Sequence, residues 1–242
     1  MFDVIGAPGQ GRQYEGTGVV RLGDSSPGGR ARLDALARLV QDVSDDDARL
    51  AGFGGATWVV RRTVVHVHAF PIYLEPLTLT TWCAGLGAAW AERRVSVRGR
   101  HGGHVETATL WVHLDAATMR PLRLPSSFLG VFGPSTRGRR VASKQLLPAA
   151  PDDSPGEVWP LRFTDFDVLD HVNNAVYWAP VEQELAVRRS LRAPLTAVVE
   201  HGEPIEHDHD VRWSARDRPG GFEGWLVSGS RQHAAVRVSG GI

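Results

Sequence analysis

Hydrophobic residues follow two different spacings in the first half of the chain, and each spacing predicts its own kind of element. Apolar residues at intervals of three and four predict a helix that ends near Leu50. They are Leu33, Leu36, Val40 and Val43. Stretches rich in β-branched residues, some with alternating polarity, predict strands. These stretches cover residues 14–22, 58–69, 77–86, 90–100 and 105–115.

The segment from 121 to 155 shows neither spacing. It contains six prolines and a short basic run formed by Arg137, Arg139, Arg140 and Lys144. Proline removes a backbone donor and interrupts both helices and central strands. We therefore predict a linker, in which the basic run is either simply solvated or forms a surface for an acidic partner.

The second half of the chain repeats the element order of the first. Its patterns predict a helix over 174–191. They predict strands over residues 158–166, 196–201, 211–215, 224–230 and 234–238. Aligning the segment 21–24 with the segment 162–165 sets the two copies 141 residues apart. Two copies of one β-α-ββββ unit are the simplest description of this order.

One stretch at the start of the second predicted helix concentrates polar chemistry. The segment FDVLDHVNNAV, residues 166–176, holds two aspartates, a histidine and two asparagines. In the repeat register Asp167 falls opposite Ser26, and His171 falls opposite Arg30. The polar cluster therefore belongs to the second copy alone. Because a shared fold does not need it, this asymmetry favours a functional role.

These residue types suit acyl transfer. A carboxylate such as Asp167 acts as a base or a nucleophile, and unsatisfied amides at a helix start stabilise an oxyanion. His171 would orient the substrate or a water molecule. The alternative is that Asp170, Asn173 or Asn174 caps the helix and that His171 packs at a strand–helix corner. The spacing alone does not decide between the two.

Charge and targeting patterns restrict the class of protein. Lysine plus arginine and aspartate plus glutamate both number 27, so the formal net charge is zero. This balance argues against a general nucleic-acid binder or a membrane-surface binder. Neither a signal peptide nor a membrane-spanning stretch is recognisable, so we expect a cytoplasmic protein.

Two other features invite a chemical interpretation. The single cysteine, Cys83, rules out an internal disulfide and a cysteine-based zinc site, and it is predicted to pack in the core. The segment EHDHD, residues 206–210, could in principle ligate a metal ion. Short runs of this kind are usually solvated loops, which we expect here as well.

The stretch FTDFDVLDHVNNAVYW, residues 163–178, resembles the signature of hotdog-fold thioesterases, in particular the acyl-acyl carrier protein (acyl-ACP) thioesterases of plants and bacteria. Their pattern is roughly R-x-S-D-x-D-x-N-x-H-V-N-N-x-x-Y. Further blocks resemble the first hotdog of that family, in the same order. They are TWVVRRTVVHV at 57–67, LTLTTW at 77–82, ETATLWVHLD at 106–115 and MRPLRLP at 119–125. The likeness extends from about residue 14 to residue 211.

This resemblance implies an α+β fold, a tandem double hotdog in which each unit wraps a curved antiparallel sheet around a central helix. It implies a first hotdog over 1–125 that contributes the acyl pocket, a linker over 126–157 and a catalytic second hotdog over 158–242. The implied reaction hydrolyses the thioester between a fatty acyl chain and the phosphopantetheine arm of acyl carrier protein. We expect no cofactor and no metal ion. The sequence does not decide whether two chains form a homodimer.

The resemblance also assigns roles to single residues. Asp167 matches the aspartate that acts as base or nucleophile, and His171 matches the histidine that orients the reacting groups. Contacts with the substrate are expected from Asn173 and Asn174, which complete the motif. Trp82, on a predicted core strand, is a candidate for lining the acyl pocket.

Two positions depart from the family pattern. Leu169 stands where the family has an asparagine, and leucine cannot form a side-chain hydrogen bond. The family also has a glutamate or cysteine on a strand after the helix, where a gapless match gives Pro204 and Ile205. A small shift would bring Glu203 or Glu206 there, and Glu203 is the third catalytic candidate. These departures leave two alternatives open: an acyl-CoA thioesterase, and a protein that binds acyl groups or the carrier without hydrolysis.

Overall fold

A computed structural model describes residues 3, 5–55, 57–151 and 156–240. Within these ranges the strands form one antiparallel sheet. They are β1 (Gln13–Val19), β2 (Trp58–Ala69), β3 (Pro76–Leu86), β4 (Trp90–Gly99), β5 (His104–His113), β6 (Glu157–Val158), β7 (Leu195–His201), β8 (Arg212–Arg218), β9 (Gly221–Ser228) and β10 (Arg231–Gly240). The α-helices are α1 (Leu33–Leu50), α2 (Ser126–Phe132) and α3 (Ala179–Val187). The predicted α+β class is confirmed.

The sheet consists of two halves with the same internal order. Across the sheet the strands run β1-β3-β4-β5-β2-β7-β10-β9-β8-β6, so β2 and β7 join the two units at the centre. Val64 of β2 pairs with Val198 of β7. On either side, Arg62 pairs with Glu200 and His66 pairs with Thr196. A pseudo-twofold axis therefore passes through the pair of valines and relates the two units.

The long helices of the two units contact each other and share one hydrophobic core with the sheet. The apolar residues that predicted α1 are all buried, which confirms that prediction. Each fully buried leucine or valine contributes roughly 1.5–3 kcal/mol relative to exposure. Within the described ranges, no helix combines the length and the apolar character that crossing a membrane requires.

Two predictions for the second unit are wrong. The helix predicted over 174–191 is shorter: a 3₁₀ turn over Val176–Trp178 leads into α3, which ends at Val187. The strand predicted over 158–166 is reduced to the two residues of β6. Pro160 follows closely and cannot donate a ladder hydrogen bond, so the pairing does not continue.

The segment predicted as a linker contains the helix α2, which the sequence pattern did not indicate. Phe128 and Phe132 of this helix are buried in a cluster with Cys83. Seven residues are too few to show a helical period. Further along, the carboxylate of Glu200 on β7 accepts hydrogen bonds from the backbone N–H groups of residues 146 and 147, at 2.8–3.0 Å. The connection between the units is therefore anchored to the sheet.

Candidate active site

The polar cluster forms a short loop, residues 166–172, which we call the second loop. Phe166 and Val172 pair across it. The Asp167 N–H donates to the His171 carbonyl at 3.0 Å, and the Asp170 N–H donates to the Asp167 carbonyl at 2.9 Å. Asp170 has a φ of 60°, a conformation that aspartate tolerates better than most residues. The backbone therefore makes Asp167 and His171 neighbours across the loop.

Hydrogen bonds hold the carboxylate of Asp167 in one orientation. Its Oδ1 accepts from the Leu169 N–H at 2.9 Å, and its Oδ2 accepts from Asn173 Nδ2 at 3.1 Å. The Asn173 Oδ1 in turn accepts from the Ala175 N–H at 2.9 Å, directly before the 3₁₀ turn that leads into α3. Asn173 thus links the carboxylate to the helix. Asp167 itself is half-buried, so its carboxylate can meet both water and a bound molecule.

Two donors at the helix start are left free by the protein. The His171 ring is half-buried and makes no hydrogen bond within the described residues. The backbone N–H of Asn174 likewise has no acceptor in the part of the chain that the structure describes. Asn174 also borders a small cavity beside α1, together with Gln41 and Trp178. An N–H without an acceptor at the edge of a cavity, such as that of Asn174, suits the carbonyl oxygen of a bound ester or thioester.

Two buried polar side chains lie beneath the second loop. Tyr177 and His201 contact each other with ring centroids 4.8 Å apart, nearly edge to face. Burial raises the pKa of Tyr177, which the nearby charge of Asp167 reinforces. Burial lowers the pKa of His201 to about 3, so this imidazole is neutral at pH 7. Neither residue stands out in the sequence, because their contact depends on the packing of the helix start on β7.

The segment after β7 covers the second loop from outside. The Val172 N–H donates to the Ile205 carbonyl at 3.2 Å. The ring of His207 stacks on Phe166 with centroids 3.6 Å apart, and its Nε2 lies 2.8 Å from a carboxylate oxygen of Asp170. These contacts fix the loop that carries Asp167 and His171. From the sequence, His207 was expected to lie in a solvated loop, as part of the EHDHD segment.

The structure does not bring Glu203 and Trp82 to the second loop. Glu203 is exposed, and its carboxylate lies 3.7 Å from Arg231 Nε. Trp82 is buried on β3 of the first unit, next to Thr81, whose hydroxyl bonds Arg93 on the side that faces α1. Because side chains alternate along a strand, Trp82 lies on the opposite face. Within the described residues, neither Glu203 nor Trp82 forms a hydrogen bond with Asp167.

The other chemical candidates are engaged elsewhere. Glu206, Asp208 and His209 lie close enough to share an ion, at the protein surface. However, His209 Nδ1 accepts the Glu206 N–H, and its Nε2 lies 3.1 Å from a guanidinium nitrogen of Arg231. A metal ion would have to displace one of these contacts. Cys83 is buried, and burial raises its pKa to about 11, which disfavours the thiolate at pH 7.

The first unit contains the same loop with different side chains. In this first loop, residues 25–31, the Ser26 N–H donates to the Arg30 carbonyl at 2.8 Å, as Asp167 does to His171. The Gly29 N–H donates to the Ser26 carbonyl at 2.8 Å. Gly29 has a φ of 82°, at the position of Asp170 in the second loop. The predicted repeat register is therefore confirmed, down to single hydrogen bonds.

The first loop is filled by an ion pair. Both terminal nitrogens of Arg30 bond the carboxylate of Glu182 from α3 at 2.9 Å. The same carboxylate accepts the Leu33 N–H at 2.6 Å, at the start of α1. Leu33 corresponds to Asn174 in the repeat register, so the helix-start amide is occupied in one unit and free in the other.

Solved structures with this architecture include known thioesterases. The 12:0-ACP thioesterase from Umbellularia californica superposes with a TM-score of 0.78 at 20% identity, and the match covers 98% of each chain. An acyl-ACP thioesterase from Bacteroides thetaiotaomicron also gives a TM-score of 0.78, at 14% identity, over 94% of this chain and 97% of the other. At these identities the likeness shows the fold alone, a tandem double hotdog, and confirms that prediction.

Sequence comparison gives the family. An uncharacterized protein of Mycobacterium tuberculosis is 37% identical over 179 residues, which cover 72% of this chain and 71% of that protein. The chloroplastic oleoyl-acyl carrier protein thioesterase 1 of Arabidopsis thaliana is 23% identical over 92% of this chain and 69% of its own length. The model of the acyl-ACP thioesterase N-terminal domain matches residues 11–132, and that of the C-terminal domain matches residues 150–233. Because these two models together cover most of the chain, it belongs to the acyl-ACP thioesterase family, whose reaction is thioester hydrolysis of acyl-ACP.

Proposed function

We propose that this thioesterase releases a fatty acid from acyl-ACP at the second loop, with Asp167 as base or nucleophile. The observation that carries the proposal is the held carboxylate of Asp167, next to the free donors of His171 and the Asn174 N–H. A fixed carboxylate beside preorganised donors is the arrangement that acyl transfer needs. Asn173 acts on the carboxylate, as a positioning residue.

In the base route, Asp167 takes a proton from a water molecule, whose oxygen attacks the thioester carbonyl carbon. The carbonyl electrons move onto the oxygen, which the His171 ring and the Asn174 N–H stabilise. Collapse of this intermediate breaks the carbon–sulfur bond, and the leaving thiolate takes the proton from Asp167. In the nucleophile route a carboxylate oxygen of Asp167 attacks the carbonyl carbon, the carbon–sulfur bond breaks, and the thiolate leaves and takes a proton from solvent. Water then hydrolyses the resulting mixed anhydride to the fatty acid and the free Asp167 carboxylate. A single turnover in ¹⁸O-water tests the nucleophile route, because ¹⁸O enters the Asp167 carboxylate only when water attacks the Cγ of such an anhydride.

The ion pair in the first loop supports this placement of the oxyanion. Glu182 Oε1 lies 2.6 Å from the Leu33 nitrogen and 2.9 Å from Arg30 Nη1. By the repeat, an anionic oxygen at the equivalent point of the second unit would face the Asn174 N–H and the His171 ring. The first unit thus carries a bound carboxylate where the second unit would hold a transient negative charge.

The cavity beside Asn174 is our candidate for the start of the acyl pocket. Its lining is mostly apolar and comes from α1, β2, β5 and the helix start of the second unit. Its volume of about 20 Å³ holds about one water molecule. An acyl chain would therefore have to move side chains such as Trp111 or Trp178, which border the cavity. We propose that these two residues limit the chain length.

The carrier protein would meet exposed basic residues of the inter-unit segment. Arg139 is not available, because its guanidinium bonds Glu92 and the Ala84 carbonyl. Arg137 and Arg140 are exposed. Charge reversal at both should raise KM for acyl-ACP and leave KM for the matched acyl-CoA unchanged, since charges at an interface rim mainly affect association. An equal change for both substrates would remove this segment from the docking surface.

The decisive test is Asp167→Asn, assayed on a panel of acyl-ACPs of increasing chain length and on matched acyl-CoAs. We expect kcat to fall by about 100- to 10,000-fold, the usual contribution of a general base. Asp208→Asn is the matched control, because it removes one exposed carboxylate from the segment that covers the loop. Wild-type turnover by Asp167→Asn would overturn the assignment. A preference for acyl-CoA over acyl-ACP would overturn the choice of carrier.

A further inference from the structure

Each unit can supply residues to the loop of the other across the pseudo-twofold axis. Glu182 lies on α3 of the second unit and closes the first loop. Its side chain is buried between the two helices. The repeat register places Gln41 of α1 at the position that Glu182 occupies on α3. The second loop should therefore receive Gln41 from the first unit.

The surroundings of Gln41 fit this expectation. Gln41 and Asn174 line the same cavity, which places Gln41 of α1 near the start of the second-unit helix. Gln41 is half-buried, and its carboxamide makes no hydrogen bond within the described residues. Its counterpart Glu182, by contrast, uses both oxygens. Within the described residues, the Gln41 carboxamide and the Asn174 N–H are thus two polar groups without a hydrogen-bond partner at one cavity.

The chemical difference between the two side chains matches the different states of the two loops. A carboxylate at position 41 would accept the Asn174 N–H, as Glu182 accepts the Leu33 N–H. It would also place a negative charge where a negative charge develops during thioester cleavage. A carboxamide is neutral and offers two N–H donors on Nε2. It leaves the site open to an oxyanion and can bond it.

We propose that Gln41 is a catalytic residue supplied by the first unit, whose Nε2 donates a hydrogen bond to the thioester carbonyl oxygen as it becomes negative. This inference rests on the proposed function of the second loop, and it adds a donor from outside the family motif. The oxyanion would then be bound by three groups: the Asn174 N–H, the His171 ring and the Gln41 carboxamide. Such a donor acts mainly in the transition state, so its loss should lower kcat more than it changes KM.

The test compares Gln41→Glu, Gln41→Ala and the wild type in steady-state hydrolysis of acyl-ACP, with melting temperatures for each. We expect kcat to fall about 100-fold or more in Gln41→Glu and about 10- to 100-fold in Gln41→Ala, with KM little changed. The melting temperature of Gln41→Glu should stay at or above the wild-type value, because the introduced carboxylate would accept the Asn174 N–H. Gln183→Glu, the same chemical change at an exposed position of α3, should keep full activity.

The outcomes separate this inference from the proposed function. If the wild type hydrolyses acyl-ACP but both Gln41 variants keep kcat within about threefold of the wild-type value, the proposed role of Gln41 is wrong. The assignment of the second loop as the active site is then unaffected. If the wild type does not hydrolyse acyl-ACP, the proposed function fails, and the inference fails with it. If Gln41→Glu does not fold, the kcat of Gln41→Ala decides the question.

Discussion

The first and second loops share a backbone and differ in what fills them. In both, the hydrogen bonds across the loop and the left-handed residue near the tip are the same after a shift of 141 residues. In the first loop Arg30 and Glu182 form a closed ion pair. In the second loop Asp167 and His171 lie where the first loop has Ser26 and Arg30, and the helix-start amide beside them has no acceptor within the described residues. The loop is thus a requirement of the fold, and the chemistry comes from the side chains that differ between the two copies.

The same contrast continues beneath the loops. In the first unit Leu36 and Val67 are both buried in the hydrophobic core. At the positions related to these by the pseudo-twofold axis, the second unit has Tyr177 and His201. Both ring nitrogens of His201 are buried without a hydrogen-bond partner among the described residues. Unpaired buried polar groups cost stability and are expected chiefly where function requires them.

Removing the basic residue from each loop should give opposite results, and this is the largest effect that we expect from the comparison of the two loops. Arg30→Ala leaves the buried Glu182 without its counter-charge, which should lower the free energy of unfolding by about 3 kcal/mol. His171→Ala removes a ring without a hydrogen-bond partner, so its cost in stability should be below about 1 kcal/mol. Its kcat for acyl-ACP should fall about 100-fold. Urea unfolding and steady-state kinetics measure both quantities.

A double variant serves as the control for the ion pair. Arg30→Met with Glu182→Met removes both charges and keeps side chains of similar length, so it should regain most of the lost stability. Arg30→Ala and His171→Ala could instead lose activity equally while the free energy of unfolding stays at the wild-type value. Both loops would then take part in catalysis. This result would contradict the division into a structural first loop and a catalytic second loop.

The next largest effect concerns the residue beneath the second loop. Burial lowers the pKa of His201 to about 3, compared with 6.5 for an ordinary histidine. Below pH 6.5 the unfolded chain therefore binds a proton that the folded chain does not. Each pH unit should then remove about 1.4 kcal/mol from the free energy of unfolding, down to the folded pKa. His201 thus makes the protein less stable as the pH falls from 6.5 towards 3.

His201→Val copies Val67 of the first unit and should abolish this part of the pH dependence. Between about pH 6.5 and pH 4 the free energy of unfolding should fall by about 3 kcal/mol less in the variant than in the wild type. Urea titrations at several pH values measure the two slopes. The other histidines are the same in both proteins, so their contributions cancel. Parallel slopes would show that His201 is not held neutral in the folded state.

Local sequence patterns predicted the helices and strands around the site. They did not predict the residues that other elements bring to it in the folded chain. The helical spacing around Leu36 and the β-branched runs predicted α1 and the long strands. The repeat register predicted that the two loops correspond. By contrast, Gln41 shares a cavity with Asn174, and His201 contacts Tyr177, only because two helices and a sheet pack together, and no local spacing encodes such contacts.

The family motif likewise predicted the residues that are close in sequence and not the more distant one. Asp167, His171 and Asn173 come together in the structure, because they lie within one short stretch whose hydrogen bonds are local. Glu203 was expected beside them from a shifted alignment of a segment after β7. That segment turns outward at Glu203, which pairs with Arg231 at the surface, and the buried residue next to Val172 is Ile205. Alignment in one dimension does not show which way a turn directs its side chains.

The smallest expected effect concerns Leu169, the departure from the family motif inside the second loop. Its side chain is 69% exposed, whereas its backbone N–H bonds the carboxylate of Asp167. Leu169→Asn restores the family residue and keeps that N–H. Because the side chain points to solvent, kcat/KM for acyl-ACP should change by less than about threefold.

Kinetics on matched acyl-ACPs would measure this change, with Val168→Asn as a control at the neighbouring, fully exposed position. In the first loop the residue equivalent to Leu169 is Gly28, which has no side chain at all. The fold therefore places no demand on this position, and only contact with a bound substrate could make it matter. A gain of about tenfold or more in Leu169→Asn alone would demonstrate such a contact, because it would equal about 1.4 kcal/mol of transition-state binding. The second loop would then differ from the first at its tip as well as at Asp167 and His171.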